Sequence, residues 1–280
     1  FSIIYISWTN TGFRLLFNIF DSALIYGVRV EAREYTNFAF IGYLQHAADN
    51  LFPIFMIYLL SRGKIFFGFI LGFLILLNFG ITASKQLFLL LILVFFAYFF
   101  IKKNLSLHRF FIFGILFSTS ITLIEFYFLN TAITTMFTSY RIFFIPAKFH
   151  FVYYDFFTTF EPDYFRQSFL RIFTQSNYDR PIHMIIADFH NNDYYARANS
   201  GLFSDAMMNL GLFGILIFPI ITIVILKLLD GATKNLATSV SFIVTATVSF
   251  LLLNLNISIA VISGGLLAMI IILYCLPRKV

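Results

Sequence analysis

A run of 43 residues, positions 235–277, contains no Asp, Glu, Lys or Arg. Residues 206–226 form a second uncharged run. One membrane-spanning helix needs about 20 consecutive apolar residues, so the longer run has room for two passes. Backbone groups in lipid must be satisfied within the segment, which makes long apolar runs helical. A transmembrane barrel would show alternating segments of about ten residues, and these runs do not alternate. Composition agrees: 60% of the residues are hydrophobic and 11% charged, where a soluble domain carries about 25% charged residues. The chain is expected to be all-α, a polytopic helical membrane protein.

Seven spans are expected, at roughly 38–60, 65–83, 86–101, 109–129, 205–227, 236–254 and 257–276. Four spans thus fill 38–129, and three with a short tail fill 205–280. If the spans alternate, one side collects nine basic residues: Arg62, Lys64, Lys102, Lys103, Arg109, Lys227, Lys234, Arg278 and Lys279. The opposite short connections carry one, Lys85. The positive-inside rule places the basic side in the cytoplasm and the long segment 130–204 outside. Residues 1–37 are interrupted by Arg14, Asp21 and Arg29, and are expected to be an external or interfacial segment, with Phe1 to Trp8 as the end of a preceding span in the alternative. The chain begins at Phe1 rather than Met, which suggests a piece of a longer protein, and no cleavable signal pattern is visible. Its single cysteine, Cys275, is read as a small core hydrophobe. The net charge of +6 sits largely at helix ends, as topology requires, so no nucleic acid is expected.

The outer segment 130–204 is the place to look for chemistry. It holds 12 of the 32 charged residues, three of the five histidines and 20 Phe and Tyr residues. Aromatic rings favour the headgroup zone, and the stretch from Arg141 to Phe157 reads as helices along the outer face, with Pro146 starting a new turn. Six basic residues face six acidic ones, which argues against a simple polybasic lipid-binding surface. Arginine forks suit phosphate and pyrophosphate oxygens. Aromatic faces suit sugar rings, and Asp, Glu, Asn and His bond hydroxyls or take up a proton. The mixture fits a phosphate-linked saccharide at an outer membrane surface; the alternative is an aromatic collar with its charges paired or solvated.

Other chemistries find less support. His183, Asp188, His190 and Asp193 lie close together, yet no HExxH pattern or cysteine pair accompanies them, and no metal is expected. No phosphate-binding GxxxxGK[ST] loop or GxSxG elbow is present. Glu125, inside a span, is read either as snorkelling to the outer end or as functional. His46 and Asp49, one turn apart in the first span, face a polar cavity or lie at its margin.

Three stretches carry a family resemblance. They are Gly80-Ile-Thr-Ala-Ser84-Lys85; Tyr140-Arg141 to Pro146 with Tyr153-Tyr154-Asp155; and Ala198-Asn199-Ser200-Gly201 to Asp205 followed by Asn209, Gly211 and Gly214. In their order and topology they resemble the Wzy-type polymerases of O-antigen and capsular repeat units, over most of residues 38–276. The resemblance implies a GT-C-like, metal-independent glycosyltransferase without a cofactor, facing the periplasm from the bacterial inner membrane. The donor would be an oligosaccharide on undecaprenyl pyrophosphate, the acceptor another lipid-linked repeat unit. Membrane lipid and a chain-length regulator protein are the further partners implied. Fixed cations must then meet the charge developing on pyrophosphate. Arg141, Arg197 and Lys85 are the candidates, with Asp155 or His190 as general base. Arg166, Tyr154 and Asn199 are further substrate-binding candidates, Asn199 equally as a helix cap. Gly201, Gly211 and Gly214 are read as permitting close helix packing. An O-antigen ligase is the near alternative; a flippase or transporter would put charge in several spans, which are here nearly free of it.

Overall fold

The computed structural model describes residues 2–16, 18, 21–35, 39–103, 107–132, 135, 136, 140, 144–191 and 197–278, a few of them by backbone alone. Among these, all regular structure is helical. The chain divides into two compact units. One comprises residues 1–113, 231–248 and 262–280, the other residues 114–230 and 249–261.

Four helices are long and apolar enough to cross a membrane: Ile65–Thr82, Phe111–Phe128, Leu212–Thr233 and Ile257–Cys275. The second has almost every residue exposed, although it carries Phe111, Phe113, Phe117 and Phe126. A helix so apolar and so little covered by protein suits a lipid environment. Lys85–Phe99 and Thr238–Asn254 are apolar but shorter. These features are consistent with a helical membrane protein.

The first unit opens with helix α1 (Ser2–Ile6) and continues with α2 (Ser22–Tyr35), α3 (Ala39–Ser61), α4 (Ile65–Thr82) and α5 (Lys85–Lys102). The N-terminal segment is ordered by its own caps. Asp21 Oδ1 accepts the Leu24 N–H at 3.0 Å, as an N-cap residue does. Ile25 and Val28 are buried while Tyr26 and Val30 are exposed, so α2 is one-sided. The two arginines that interrupt this segment serve the end of α4. Arg14 Nε donates to the Gly80 carbonyl at 3.3 Å, and Arg29 Nη2 to the Ala83 carbonyl at 3.1 Å. Helix C-termini leave carbonyls without donors, and cations there are favourable. The Arg14 carbonyl crosses so close to Gly80 that a β-carbon would stand 1.9 Å from it.

At the other end of this unit, Arg278 plays the same part. It donates to the carbonyls of Ala232 and Leu273, at 2.7 and 3.0 Å. Tyr58 and Arg62, at the end of α3, donate to the Pro277 carbonyl.

Helix α6 (Leu107–Ile124) runs on into a wider turn, Glu125–Leu129, closed by Asn130 in the left-handed conformation. Glu125 is buried, and its Oε2 accepts the Thr135 N–H at 3.2 Å, so its carboxylate organises the chain beyond the helix.

Two of the expected spans contain breaks. The span expected from 205 is cut at Gly211, whose φ of 57° ends helix α9 (Leu202–Leu210) before α10 (Leu212–Thr233) begins. A β-carbon on Gly214 would lie 2.2 Å from the Ala206 carbonyl oxygen, which explains why the chain folds back tightly here. The last span, Ile257–Cys275, keeps the expected limits after α11 (Thr238–Asn254) but carries an internal turn: α12 (Ile257–Val261) and α13 (Leu266–Cys275) flank residues 262–265, where Gly265 has φ 76°. Cys275 is exposed, contrary to the expected core position, because it ends α13.

Candidate functional site

The second unit folds the outer segment around helices α7 (Ile145–Thr159), α8 (Ile182–Asn191) and α9. Pro146 stands in the first turn of α7, where its missing N–H costs nothing. Val152, Tyr153, Phe156 and Phe157 line its buried face, and Ile182, Ile186 and Ala187 that of α8. With Met207 and Met208 they form one apolar core.

Between α7 and α8 the chain makes a polar frame. Asp163 is 1% exposed. Its N–H donates to the Met208 carbonyl at 2.7 Å, and its carboxylate accepts the Gln167 N–H and the Ser176 hydroxyl. The Gln167 side chain then donates to the Arg180 carbonyl at 2.8 Å and accepts the Ile182 N–H at 2.9 Å. Asn209 Oδ1 accepts the Phe165 N–H at 2.9 Å. These bonds hold a loop with little regular structure to two helices.

The return strand of chain is tied to the turn 254–258. Asp205 Oδ2 accepts the Ile257 N–H at 2.6 Å, Asn199 donates to Asn254 at 3.2 Å, and Ser168 bonds Ser258 at 2.9 Å. Ser200 also bonds Asn256.

The frame encloses a cleft of about 670 Å³, within the usual range for small-ligand sites. Arg166, Arg171 and Arg180 line it together with Asp163 and Asp179. Asp163 is occupied by the frame, and Arg180 is ion-paired to Asp188 at 2.8 Å. Among the described residues the Arg166 guanidinium bonds only an amide oxygen, that of Asn177, at 2.7 Å, and it lies 5.6 Å from the Tyr164 ring. The Arg171 guanidinium has no hydrogen bond or ion pair among the described residues. Two guanidinium groups thus remain able to meet an anion.

Two titratable groups in the lining are held neutral. Burial lowers the pKa of His183, and the Arg197 charge lowers it further. Burial raises that of the Tyr153 phenol, against an opposing interaction with the Ser200 side chain, and the Asp205 carboxylate adds to the rise. Tyr153 is fully buried, the Ser200 hydroxyl is near enough to act on its phenol, and its own hydroxyl meets no hydrogen-bond geometry among the described residues. At neutral pH the cleft therefore offers arginine forks, an imidazole able to accept a proton and a phenol able to donate a hydrogen bond. Elsewhere in the unit His150 Nδ1 lies 2.7 Å from the Ser204 hydroxyl, and burial lowers its pKa as well.

Of the residues singled out by sequence, Arg166 lies in this lining. Arg197 is exposed and close enough to His183 to act on its charge. Asn199 is exposed and serves the loop through Asn254. Tyr154 and Asp155 sit on the exposed face of α7, and neither lines the cleft. His190 is exposed at the end of α8, its ring edge-on to Phe149 at 6.2 Å. Lys85 begins α5 in the other unit. Arg141 and Asp193 lie outside the described residues.

His183 entered the sequence reading only as part of a weak metal pattern, whose Asp188 is instead the ion-pair partner of Arg180. Tyr153, Arg171 and Arg180 were legible as residue types but not as neighbours. The spacing of Ile182, Ile186 and Ala187 would have identified the buried face of α8, though not which residues of the preceding loop approach it.

No protein-family model, curated protein or solved structure matches the chain.

Proposed function

We propose that this chain is a membrane-embedded glycosyltransferase that polymerises lipid-linked oligosaccharide repeat units into O-antigen or capsular polysaccharide. The observation that carries the reading is the cleft. It joins two available guanidinium groups to a neutral imidazole and a neutral phenol, in a chain with four helices apolar enough to cross a membrane. The order of the stretches that resemble Wzy-type polymerases adds to it. On this reading the fold is GT-C-like with seven spans, and segment 130–204 faces the periplasm from the bacterial inner membrane.

In the reaction, an acceptor sugar hydroxyl attacks the anomeric carbon of the donor. A new glycosidic C–O bond forms, the bond to pyrophosphate breaks, and undecaprenyl pyrophosphate leaves with the bonding electrons. His183 takes the hydroxyl proton. Arg166 and Arg171 meet the charge that grows on the pyrophosphate oxygens, where preorganised donors are worth most. Tyr153 donates to a sugar or phosphate oxygen. Arg141 and Arg197 remain candidates for the same anion, and a chain-length regulator protein is the expected partner.

The test is genetic. The gene is deleted in its host, complemented with wild type, Arg171→Ala or Arg141→Ala, and the surface glycan is resolved on a gel. The reading expects deletion to collapse a ladder to a core-plus-one-repeat band, with Arg171→Ala failing to restore it at normal expression. Loss of all glycan from the core would favour a ligase or flippase instead. An unchanged ladder in the deletion strain, with no second polymerase encoded, would overturn the proposal.

A further inference from the structure

A second polar cluster lies in the first unit, and glycosyl transfer has no use for it. Asp49 on α3 is 6% exposed and Asn78 on α4 is fully buried. Asn78 Nδ2 donates to Asp49 Oδ1 at 2.6 Å. One turn earlier on α3, and so on the same face, Gln45 is 2% exposed. Among the described residues neither Nε2 nor Oε1 of Gln45 has a partner, and Asn78 Oδ1 has none either. Asn50 closes the cluster: it accepts from Gln86 Nε2 of α5 at 2.9 Å and donates to the Gly264 carbonyl at 2.9 Å. Pro53, inside α3, has no N–H, which leaves the Asp49 carbonyl without its helical donor.

No Lys or Arg is bonded to Asp49 among the described residues. Arg14 and Arg29 lie on the segment packed against α4; Arg14 is engaged by the Gly80 carbonyl and by Glu31, its ion-pair partner at 2.9 Å, and Arg29 by the Ala83 carbonyl. A buried carboxylate without a counter-charge is costly, and so is a buried amide oxygen without a donor. One monovalent cation answers both costs. It matches the single carboxylate in charge and, unlike a proton, it can be shared by several oxygens. A divalent ion would bring excess charge to a site with one acid, and oxygen donors favour a hard cation. Among the described residues no three His, Cys, Asp or Glu gather as a metal site of the usual kind. We propose that Asp49, with the side-chain oxygens of Asn78 and Gln45, binds one sodium ion between α3 and α4.

The test uses the full chain reconstituted in lipid nanodiscs, with sodium chloride exchanged for N-methyl-D-glucamine chloride at constant ionic strength. Thermal unfolding should shift upward and saturate with sodium, and radioactive sodium should bind at one ion per chain. Asp49→Asn, which removes the buried charge and keeps the shape, should abolish both. Gln45→Ala should keep the carboxylate but raise the sodium needed for half-saturation roughly ten-fold. Equal unfolding temperatures in the two salts would overturn the proposal, as would an unchanged sodium response in Asp49→Asn. The readout is independent of glycan synthesis.

Discussion

The Asp205 carboxylate accepts the backbone N–H of Ile257 at 2.6 Å, joining positions 52 residues apart in the chain. Its other oxygen accepts Asn209 Nδ2 at 2.6 Å. Asp205 lies on α9, ahead of the first span-length helix of this unit's return, and is 1% exposed. Asp205→Ala leaves a buried N–H without an acceptor, so we expect a loss of about 2–3 kcal/mol. Chemical unfolding in detergent checks it.

The same residue sets a pH dependence. Burial pushes the Asp205 carboxyl from 3.8 up to about 6, against the opposing hydrogen bonds from Ile257 and Asn209. Between those values the folded state holds a proton that the unfolded state releases. Stability from this group is therefore greatest below pH about 4 and falls as pH rises to about 6, by on the order of 2–3 kcal/mol. The slope should appear in the difference between wild type and Asp205→Asn, measured as unfolding temperature against pH.

Gln167 is a frame member that both donates, to the Arg180 carbonyl, and accepts, from the Ile182 N–H. Gln167→Glu keeps the size and the acceptor but loses the donation. It also places a second carboxylate near Asp163, whose Oδ2 accepts the Gln167 N–H. We expect a loss of about 1–3 kcal/mol at neutral pH, recovered in acid where the introduced carboxyl is protonated. Limited proteolysis of the 160–181 loop at pH 5 and pH 8 separates the two states.

Gly214→Ala forces a methyl group against the Ala206 carbonyl, 2.2 Å away. Overpacking of this kind costs about 1–3 kcal/mol. Lower unfolding temperature and lower yield are expected, with no change in the ligand affinity of the protein that folds.

If His183 is the base, polymerisation should fail as pH drops through its lowered pKa. Arg197 contributes to that lowering after burial. Arg197→Ala should therefore let His183 protonate more readily and move the acid limb of the rate profile to higher pH. Polymerisation by reconstituted protein, followed across pH 4–8, reads the shift directly; identical acid limbs would remove His183 from the role.

The apolar runs expected from 65, 109 and 236 became helices close to where the sequence places them, because length and apolarity alone demand it. The breaks did not. Gly211 ends one helix and Gly265 precedes the start of another, both at positive φ, and a glycine inside an apolar run looks the same whether it packs or turns. Arg14 and Arg29 read as interruptions, yet they serve carbonyls 66 and 54 positions away. The cleft was legible as a segment and as residue types. Its membership was not, since Tyr154 and Asp155 face outward while Tyr153 beside them is buried.

The sequence by itself determined that long stretches are helical and suited to lipid, because an apolar chain without charge has no other way to satisfy its backbone there. It also determined that polar chemistry is concentrated between Asn130 and Ser204. Only the tertiary structure decided which members of that segment share a cleft. The frame through Asp163, Gln167, Ser176 and Met208 is made of hydrogen bonds within an irregular loop and from it to a helix, and these follow no period that a sequence pattern can carry.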